Sequence, residues 1–175
     1  TSIDINDKPC AFRYPRGVGF GVPLPDINEK IEIGKSKIIL EGKKLAILSF
    51  GARLKETLIA ADNLKKKGID LTVVDARFAK PLDENLIWQL ATTHDAIMTI
   101  EEGSIGGFGS HVVDFLSKKG LLDSNLKFRS MILPDMFIDH DTPNNMYKNA
   151  NLDSSSIEEK ILDLLNSNIV LQKQK

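Results

Sequence analysis

The sequence predicts an α/β domain, a three-layer sandwich in which helices cover both faces of a mixed, mostly parallel sheet. Short apolar runs alternate along the chain with segments whose apolar residues recur at helical spacing. The 175 residues, 42% hydrophobic and 27% charged, are enough for one domain with a proper core. No apolar run is long enough to cross a bilayer. These observations favour one globular domain built from alternating strands and helices.

The first half of this domain is a strand, a turn at residues 41–43, and a second strand over residues 44–50. A helix follows, because Leu54, Leu58, Ala61 and Leu64 fall on one face at helical spacing. Three lysines close its last turn, where cations suit the helix dipole, and Gly68 is the expected C-terminal cap. Residues 69–75 then form the next strand.

The second half repeats the alternation. Asp83 is placed to cap the N-terminus of a helix, and residues 96–100 form an apolar strand. The glycine-rich residues 103–109 lead into another helix, followed by a strand over residues 128–133. Ser155 and Glu158 have the spacing of a capping box at the start of a last amphipathic helix.

The chain divides into three parts. Residues 1–34 are a lead-in broken by four prolines, in which only residues 11–14 look like a strand, so we expect the lead-in to pack on something else. Residues 35–167 form the α/β domain. Residues 168–175 are expected to be a disordered tail.

Charge and cysteine content narrow the choice of partners and location. The net charge of -1 gives no reason to expect nucleic acid or an anionic membrane as a partner. Cys10 is the only cysteine, which excludes a disulfide framework and a cysteine-based zinc site. A single cysteine fits a reducing compartment, and the expected location is cytoplasmic.

The glycine-rich segment follows a strand and opens a helix, which is the setting of a phosphate-binding loop. Glu101 and Glu102 stand directly before it and would repel a pyrophosphate. We therefore expect a tight turn whose glycines, including Gly106 and Gly107, allow close packing. Adjacent strand residues point to opposite faces, so the two glutamates are not expected to act together as an acid/base pair. One should make a capping or interface contact and the other should face solvent.

Two arginines in the lead-in suit a phosphate site. Arg13 and Arg16 flank the rigid Pro15, and a guanidinium binds phosphate through two parallel hydrogen bonds. A fixed backbone lowers the entropy lost when such a site is ordered. The alternative is a pair of surface arginines at the end of a strand.

Several segments together resemble the C-terminal part of 1-deoxy-D-xylulose-5-phosphate synthases, a thiamine-diphosphate-dependent family with a transketolase-like C-terminal domain. The segments are FRYPRG at residues 12–17, KKLAILSFG at 43–51, VDARFAKPLD at 74–83, TIEEGSIGGFGS at 99–110 and LPDMFIDH at 133–140. The first and last of these distinguish the synthase from the β subunits of 2-oxoacid dehydrogenases. Asp141 and Asn151 stand where the family tail has glycine, a departure that affects turn geometry.

The resemblance implies an enzyme that joins pyruvate to glyceraldehyde 3-phosphate with loss of carbon dioxide. It implies that thiamine diphosphate and magnesium are bound by N-terminal and middle domains, whose motifs are absent from this chain. Arg16 matches the family arginine that contacts the substrate phosphate, and Arg13 is a weaker candidate. Residues 1–34 would then be the end of the middle domain, and the fragment is expected to be inactive alone.

The same resemblance implies packing on the preceding domains and a homodimer. Interface candidates are Glu101, Glu102, Gly106 and Gly107. Two other interpretations stay open: the C-terminal domain of a transketolase or of a 2-oxoacid dehydrogenase β subunit, and a stand-alone module for dimerisation or docking.

Overall fold

The computed structural model of the protein describes residues 1–15, 19, 21–26 and 29–172. These residues contain five strands and five α-helices. The strands are β1 Lys37–Leu40, β2 Leu45–Phe50, β3 Thr72–Asp75, β4 Ala96–Glu101 and β5 Lys127–Met131. The helices are α1 Leu54–Lys66, α2 Glu84–Thr93, α3 Phe108–Lys118, α4 Pro143–Asn149 and α5 Ser154–Gln172. Two short 3-10 helices lie at Ser2–Asp4 and Leu121–Asp123.

The five strands form one mixed sheet in the order β1-β3-β2-β4-β5. β3, β2, β4 and β5 run parallel, and β1 is the antiparallel edge strand. The central strands β2 and β4 are buried on both faces, which explains their continuous apolar sequences. The predicted fold class, a mostly parallel mixed sheet between helices, is confirmed.

The helices cover both faces of this sheet and bury two separate cores. Leu45 and Ile47 of β2 share one core with residues of α1 and α5. Ala46 and Leu48, which point to the opposite face, share the other core with residues of α2 and α3. At about 25 cal/mol per Å² of buried apolar surface, these two cores supply most of the drive for folding.

Two helix ends follow from single residues that the sequence identifies. At the end of α1, Gly68 adopts a φ of 80°, and the Gly68 and Ile69 amides donate to the carbonyls of Lys65 and Leu64. This is a Schellman motif, which suits glycine because it has no Cβ. At the start of α2, the Asp83 side chain accepts a hydrogen bond from the Leu86 amide. Both predicted caps are confirmed.

The capping box predicted for the last helix is wrong. Asp153, not Ser155, accepts the hydrogen bond from the backbone of the first turn, through the Ser156 amide. The Glu158 carboxylate reaches Asn63 and Lys67 of the neighbouring α1 region instead of its own helix start. An aspartate is as good an N-cap as serine, so the helix starts earlier than predicted. The backbone of α5 is helical to Gln172, five residues into the segment expected to be a tail.

The lead-in contains no strand within residues 11–15, contrary to the sequence prediction. A strand needs a hydrogen-bonding neighbour, and none of the five strands pairs with residues 11–15. Large apolar side chains of the lead-in stand exposed, among them Phe12, Tyr14 and Leu24. Within the described part of the chain, no helix has the length and apolar character that spanning a membrane requires.

A histidine ties three elements together at the amino edge of the sheet. The His94 ring lies 2.8 Å from the Thr72 hydroxyl of β3 and 3.2 Å from the Leu90 carbonyl of α2. Thr72 in turn bonds both backbone groups of Gly42, in the turn between β1 and β2. Burial lowers the pKa of His94 below the usual histidine value of 6.5.

We expect this histidine to make stability depend on pH. Because its pKa is lower in the folded than in the unfolded state, its contribution is complete above pH 6.5 and is lost as the pH falls through the folded pKa. Melting temperatures of the wild type and His94→Gln, at about pH 7.5 and about pH 5, measure this contribution. The wild type should lose more stability on acidification than the variant. Equal losses would show that His94 is not the group responsible.

Candidate functional site

The topology of the sheet singles out one place where loops diverge. From β2 the chain crosses to β3 on one side, and it later returns to β4 on the other side of β2. In open parallel sheets, sites form at the carboxyl ends of the strands where the connections part in this way. Here the loops after β2 and β4 meet, and they carry Arg53 and the Glu101–Gly107 segment. We take this place as the candidate site.

The centre of the site is a buried carboxylate. Glu101, the last residue of β4, is 3% exposed. Its Oε1 accepts a hydrogen bond of 2.9 Å from the Gly109 amide, in the first turn of α3. The carboxylate therefore stands in for a side-chain cap at a helix whose N-cap residue, Gly107, has no side chain. Its negative charge is favourable there because free amides and the helix dipole make that end positive.

Glycine surrounds this carboxylate because nothing larger fits. A Cβ added to Gly103 or to Gly107 would come within 2.4 Å of Glu101 Oε2. A Cβ on Gly109 would come within 2.7 Å of the Thr99 hydroxyl. Gly106 has a different reason, since it adopts a φ of 93° with open space around it. The glycine-rich sequence is thus a close-packed turn around Glu101, as the sequence analysis expected.

This arrangement leaves the loop unsuited to a phosphate. The amide at the start of α3 that would bind an anion already binds Glu101, and a second negative group there would be repelled. In the part of the chain that the structure describes, no cluster of three or more His, Cys, Asp or Glu side chains is arranged to hold a metal ion. The glycine-rich loop therefore does not fit the diphosphate of thiamine diphosphate.

The second glutamate belongs to a charged cluster. Glu102 accepts a hydrogen bond of 2.8 Å from Nε of Arg53, whose side chain is 9% exposed. The Arg53 guanidinium lies 3.5 Å from the centre of the Tyr147 ring. Burial, and then the hydrogen bond and charge of Glu102, raise the pKa of the Tyr147 hydroxyl. The cluster joins the loop after β2, the loop after β4 and α4.

The structure places the predicted site residues in two regions. Arg13 lies exposed in the lead-in, and Arg16 lies outside the described residues. Of the interface candidates, Glu101 and Gly107 are committed to contacts inside the domain, and Glu102 pairs with Arg53 instead of facing solvent freely. Gly106 is exposed.

Sequence reasoning missed Arg53 and Tyr147. One signal was available for Arg53, which lies directly before α1, where a cation is unfavourable for the helix dipole. A cation at such a position indicates that it is held by another interaction. Tyr147 offered no comparable signal, because the sequence does not show α4 as an amphipathic helix.

The fold and this site define a class of protein: a mixed α/β domain whose switch-point loop is closed by its own carboxylate. The chain belongs to the transketolase C-terminal domain family, whose pattern matches residues 34–157. The sequence departure at Asn151, in place of a glycine, is accommodated by a φ of 56°, a conformation that asparagine tolerates better than most residues.

Solved structures agree with this family. A structure described as "Split gene transketolase, inactive beta4 tetramer" is similar with a TM-score of 0.71 and 28% identity, over 82% of this chain and 46% of that one. A transketolase from Campylobacter jejuni subsp. jejuni NCTC 11168 has the same fold, with a TM-score of 0.51, 16% identity, and coverage of 74% and 18%. This chain therefore spans less than half the length of either.

Replacing Gly107 by alanine should destabilise the domain through Glu101. The new Cβ displaces the carboxylate and weakens its hydrogen bond to Gly109, at a cost of about 2 kcal/mol of unfolding free energy. In a Glu101→Ala background the same replacement should cost much less, which denaturant unfolding of the four proteins would measure. Gly19→Ala, where an added Cβ meets nothing within 4 Å, is the control. An equal cost in both backgrounds would contradict the packing argument.

The Arg53–Glu102 pair should be coupled more strongly than a surface pair. Replacing either residue by alanine leaves the other charge partly buried, so a double-mutant cycle should give a coupling of about 1 to 2 kcal/mol. Asp114 and Lys118, 2.7 Å apart on α3 and well exposed, are the reference pair. Their coupling should be about 0.3 to 0.5 kcal/mol. Equal couplings for the two pairs would show that Arg53 is no better shielded than a surface charge.

Proposed function

We propose that this chain is the C-terminal domain of a thiamine-diphosphate-dependent enzyme of the 1-deoxy-D-xylulose-5-phosphate synthase type. Such an enzyme condenses pyruvate with glyceraldehyde 3-phosphate and releases carbon dioxide. In this proposal the chain docks on the cofactor-binding part of the enzyme and supplies an arginine for the substrate phosphate. It does not turn over alone.

The observation that carries the proposal is the segment FRYPRG at residues 12–17. It precedes the region that matches the transketolase family, so the family match neither includes it nor explains it. Two arginines flank Pro15 in this segment, and Arg13 is exposed. The tail LPDMFIDH at residues 133–140 supports the same type of enzyme.

The role assigned to Arg16 is to bind the phosphate of glyceraldehyde 3-phosphate. A guanidinium remains charged at every physiological pH and matches phosphate oxygens with two parallel N–H donors. Holding the phosphate end fixes the position of the aldehyde carbon relative to the rest of the site. Arg13 is proposed to support this segment.

Thiamine diphosphate and magnesium are proposed to bind to the domains that precede this chain, because the resemblance assigns the cofactor motifs to those domains. When bound, the cofactor supplies the carbanion chemistry that joins the two substrates. We propose further that the enzyme is a homodimer and that it is cytoplasmic. No nucleic acid or membrane partner is proposed.

A transketolase is the second candidate, favoured by the 28% identity to the split-gene transketolase. The two candidates share the C-terminal domain and differ in substrates. A transketolase moves a two-carbon ketol group between sugar phosphates, without loss of carbon dioxide. Carbon dioxide release from pyruvate therefore distinguishes them.

The parent enzyme is the longer protein in which this chain follows the cofactor-binding part. In that enzyme, replacing Arg16 by alanine should weaken binding of the phosphorylated aldehyde. Loss of a charge-assisted hydrogen-bonding group should raise the KM for glyceraldehyde 3-phosphate about tenfold or more and leave the KM for pyruvate unchanged. Arg129→Ala, at an exposed arginine of β5, is the control. The assay is steady-state kinetics with thiamine diphosphate and magnesium.

Two controls separate the parts of the proposal. This chain alone should be inactive with both substrates, and turnover by the isolated chain would show that the cofactor site lies within it. A parent enzyme that transfers ketol groups and releases no carbon dioxide from pyruvate would identify a transketolase. Wild-type kinetics for Arg16→Ala would remove the phosphate role and leave the type of enzyme intact.

A further inference from the structure

Two loops lie side by side at the carboxyl edge of the sheet. One, between β4 and α3, contains Gly103 and Ile105. The other, between β5 and α4, contains Leu133 and Phe137. The Leu133 amide donates a hydrogen bond of 2.9 Å to the Gly103 carbonyl, which joins the two loops at their bases. Any surface that contacts one loop at this edge is close to the other.

The tips of these loops expose large apolar side chains. Ile105 is 78% exposed, Met136 is 69% exposed and Phe137 is 99% exposed. We call these three residues the apolar edge patch. Single exposed apolar residues are common on soluble proteins, whereas several large ones together on adjoining loops are typical of an interaction surface.

Poor anchoring of the two loops does not explain why the side chains of the apolar edge patch are exposed. Leu133 and Ile138, on either side of Met136 and Phe137, both pack against the core shared by α1 and α5. The other loop is held by the contact of Glu101 with Gly109 and by the pair of Glu102 with Arg53. Both loops are fixed at their bases, so the patch is presented by a rigid support.

The chain enters the domain at this same edge. β1 runs antiparallel to β3, and its first residue, Lys37, lies opposite Asp75, the last residue of β3. Just before β1, a Cβ on Gly34 would come within 3.0 Å of Pro81, in the loop that follows β3. Whatever precedes the domain in the chain is therefore connected at the edge that carries the patch. A preceding domain on a short connection is well placed to cover it.

Charge around the patch points to the character of its partner. Asp135 and Asp139 flank Met136 and Phe137 and are exposed. Two copies of the patch facing each other would bring these carboxylates together, which is unfavourable. A partner that offers an apolar socket rimmed by lysine or arginine suits the patch better than a second copy does.

We propose that the apolar edge patch is the surface by which this domain docks onto the cofactor-binding part of the enzyme. The inference rests on the proposed function, since that part is the expected neighbour. In this proposal Glu101 and Glu102, the interface candidates predicted from the sequence, do not contact the partner. They hold the loops through contacts within the domain. Ile105, Met136 and Phe137 make the contact, and the flanking aspartates face basic residues of the partner.

The test is hydroxyl-radical footprinting of Met136 and Phe137, in this chain alone and in the parent enzyme. Both side chains should react rapidly in the isolated chain and at least about tenfold more slowly in the parent, because docking excludes solvent. Trp88, half-exposed on α2, is the internal reference and should react equally in both. Equal reactivity of Met136 and Phe137 in the two samples would overturn the proposal. Protection that appears in the isolated chain as its concentration rises would assign the patch to a second copy.

Two variants of the parent provide an independent test of whether the patch is covered. Phe137→Ser in the parent should expose Met136 to radicals, while Ile59→Ser, at a partly exposed isoleucine of α1, should leave Met136 protected. Melting of the isolated chain checks that both variants fold. Substrate turnover by the wild-type parent is scored separately. If Met136 and Phe137 are protected but the parent does not condense pyruvate with glyceraldehyde 3-phosphate, the docking surface is retained and the synthase is rejected. If the parent catalyses that reaction but the two side chains are not protected, the synthase is retained and the docking surface is rejected.

Discussion

The buried carboxylate of Glu101 is the constraint on which the rest of the site depends. A charge with 3% exposure is costly unless it is hydrogen-bonded, and the start of α3 supplies both an amide donor and a favourable dipole. Because the carboxylate occupies this position, Gly103 and Gly107 must lack side chains. The loop is consequently close-packed, and its Gly109 amide is already bound by Glu101. The Ile105 side chain of the same loop is exposed to solvent. The glycine-rich segment resembles a ligand-binding loop, but in this protein the Glu101 carboxylate occupies the position that an anionic ligand would take.

The second glutamate belongs to a charged cluster that holds separate parts of the domain together. Arg53 contacts Glu102 and the Tyr147 ring, and these contacts connect two switch-point loops to α4. The loops at the carboxyl edge are therefore fixed at their bases, and they present exposed apolar side chains at the same edge at which the chain enters the sheet.

The sequence predicted those features that depend on local chemistry. Asp83 and Gly68 were identifiable because an N-cap and a left-handed C-terminal residue need particular side chains. The predictions failed where a partner distant in the chain decides the outcome. Glu158 has the spacing of a capping box, yet it bonds to Asn63 and Lys67, 95 and 91 residues away. The grouping of Arg53 with Tyr147 likewise depends on tertiary packing, and residues 11–14 lack the neighbour that would make them a strand.

The position at which the chain enters the domain determines whether the domain could be encoded separately from the residues that precede it. The two cores begin at Leu45, and no described residue before it belongs to either buried cluster. A break in the coding sequence before β1 would leave the sheet and its packing complete. If the domain were encoded separately from the rest of a longer protein, its sheet and both cores would therefore still be complete. In such an arrangement, recognition of the rest would have to come from the folded surface alone, without help from a covalent tether.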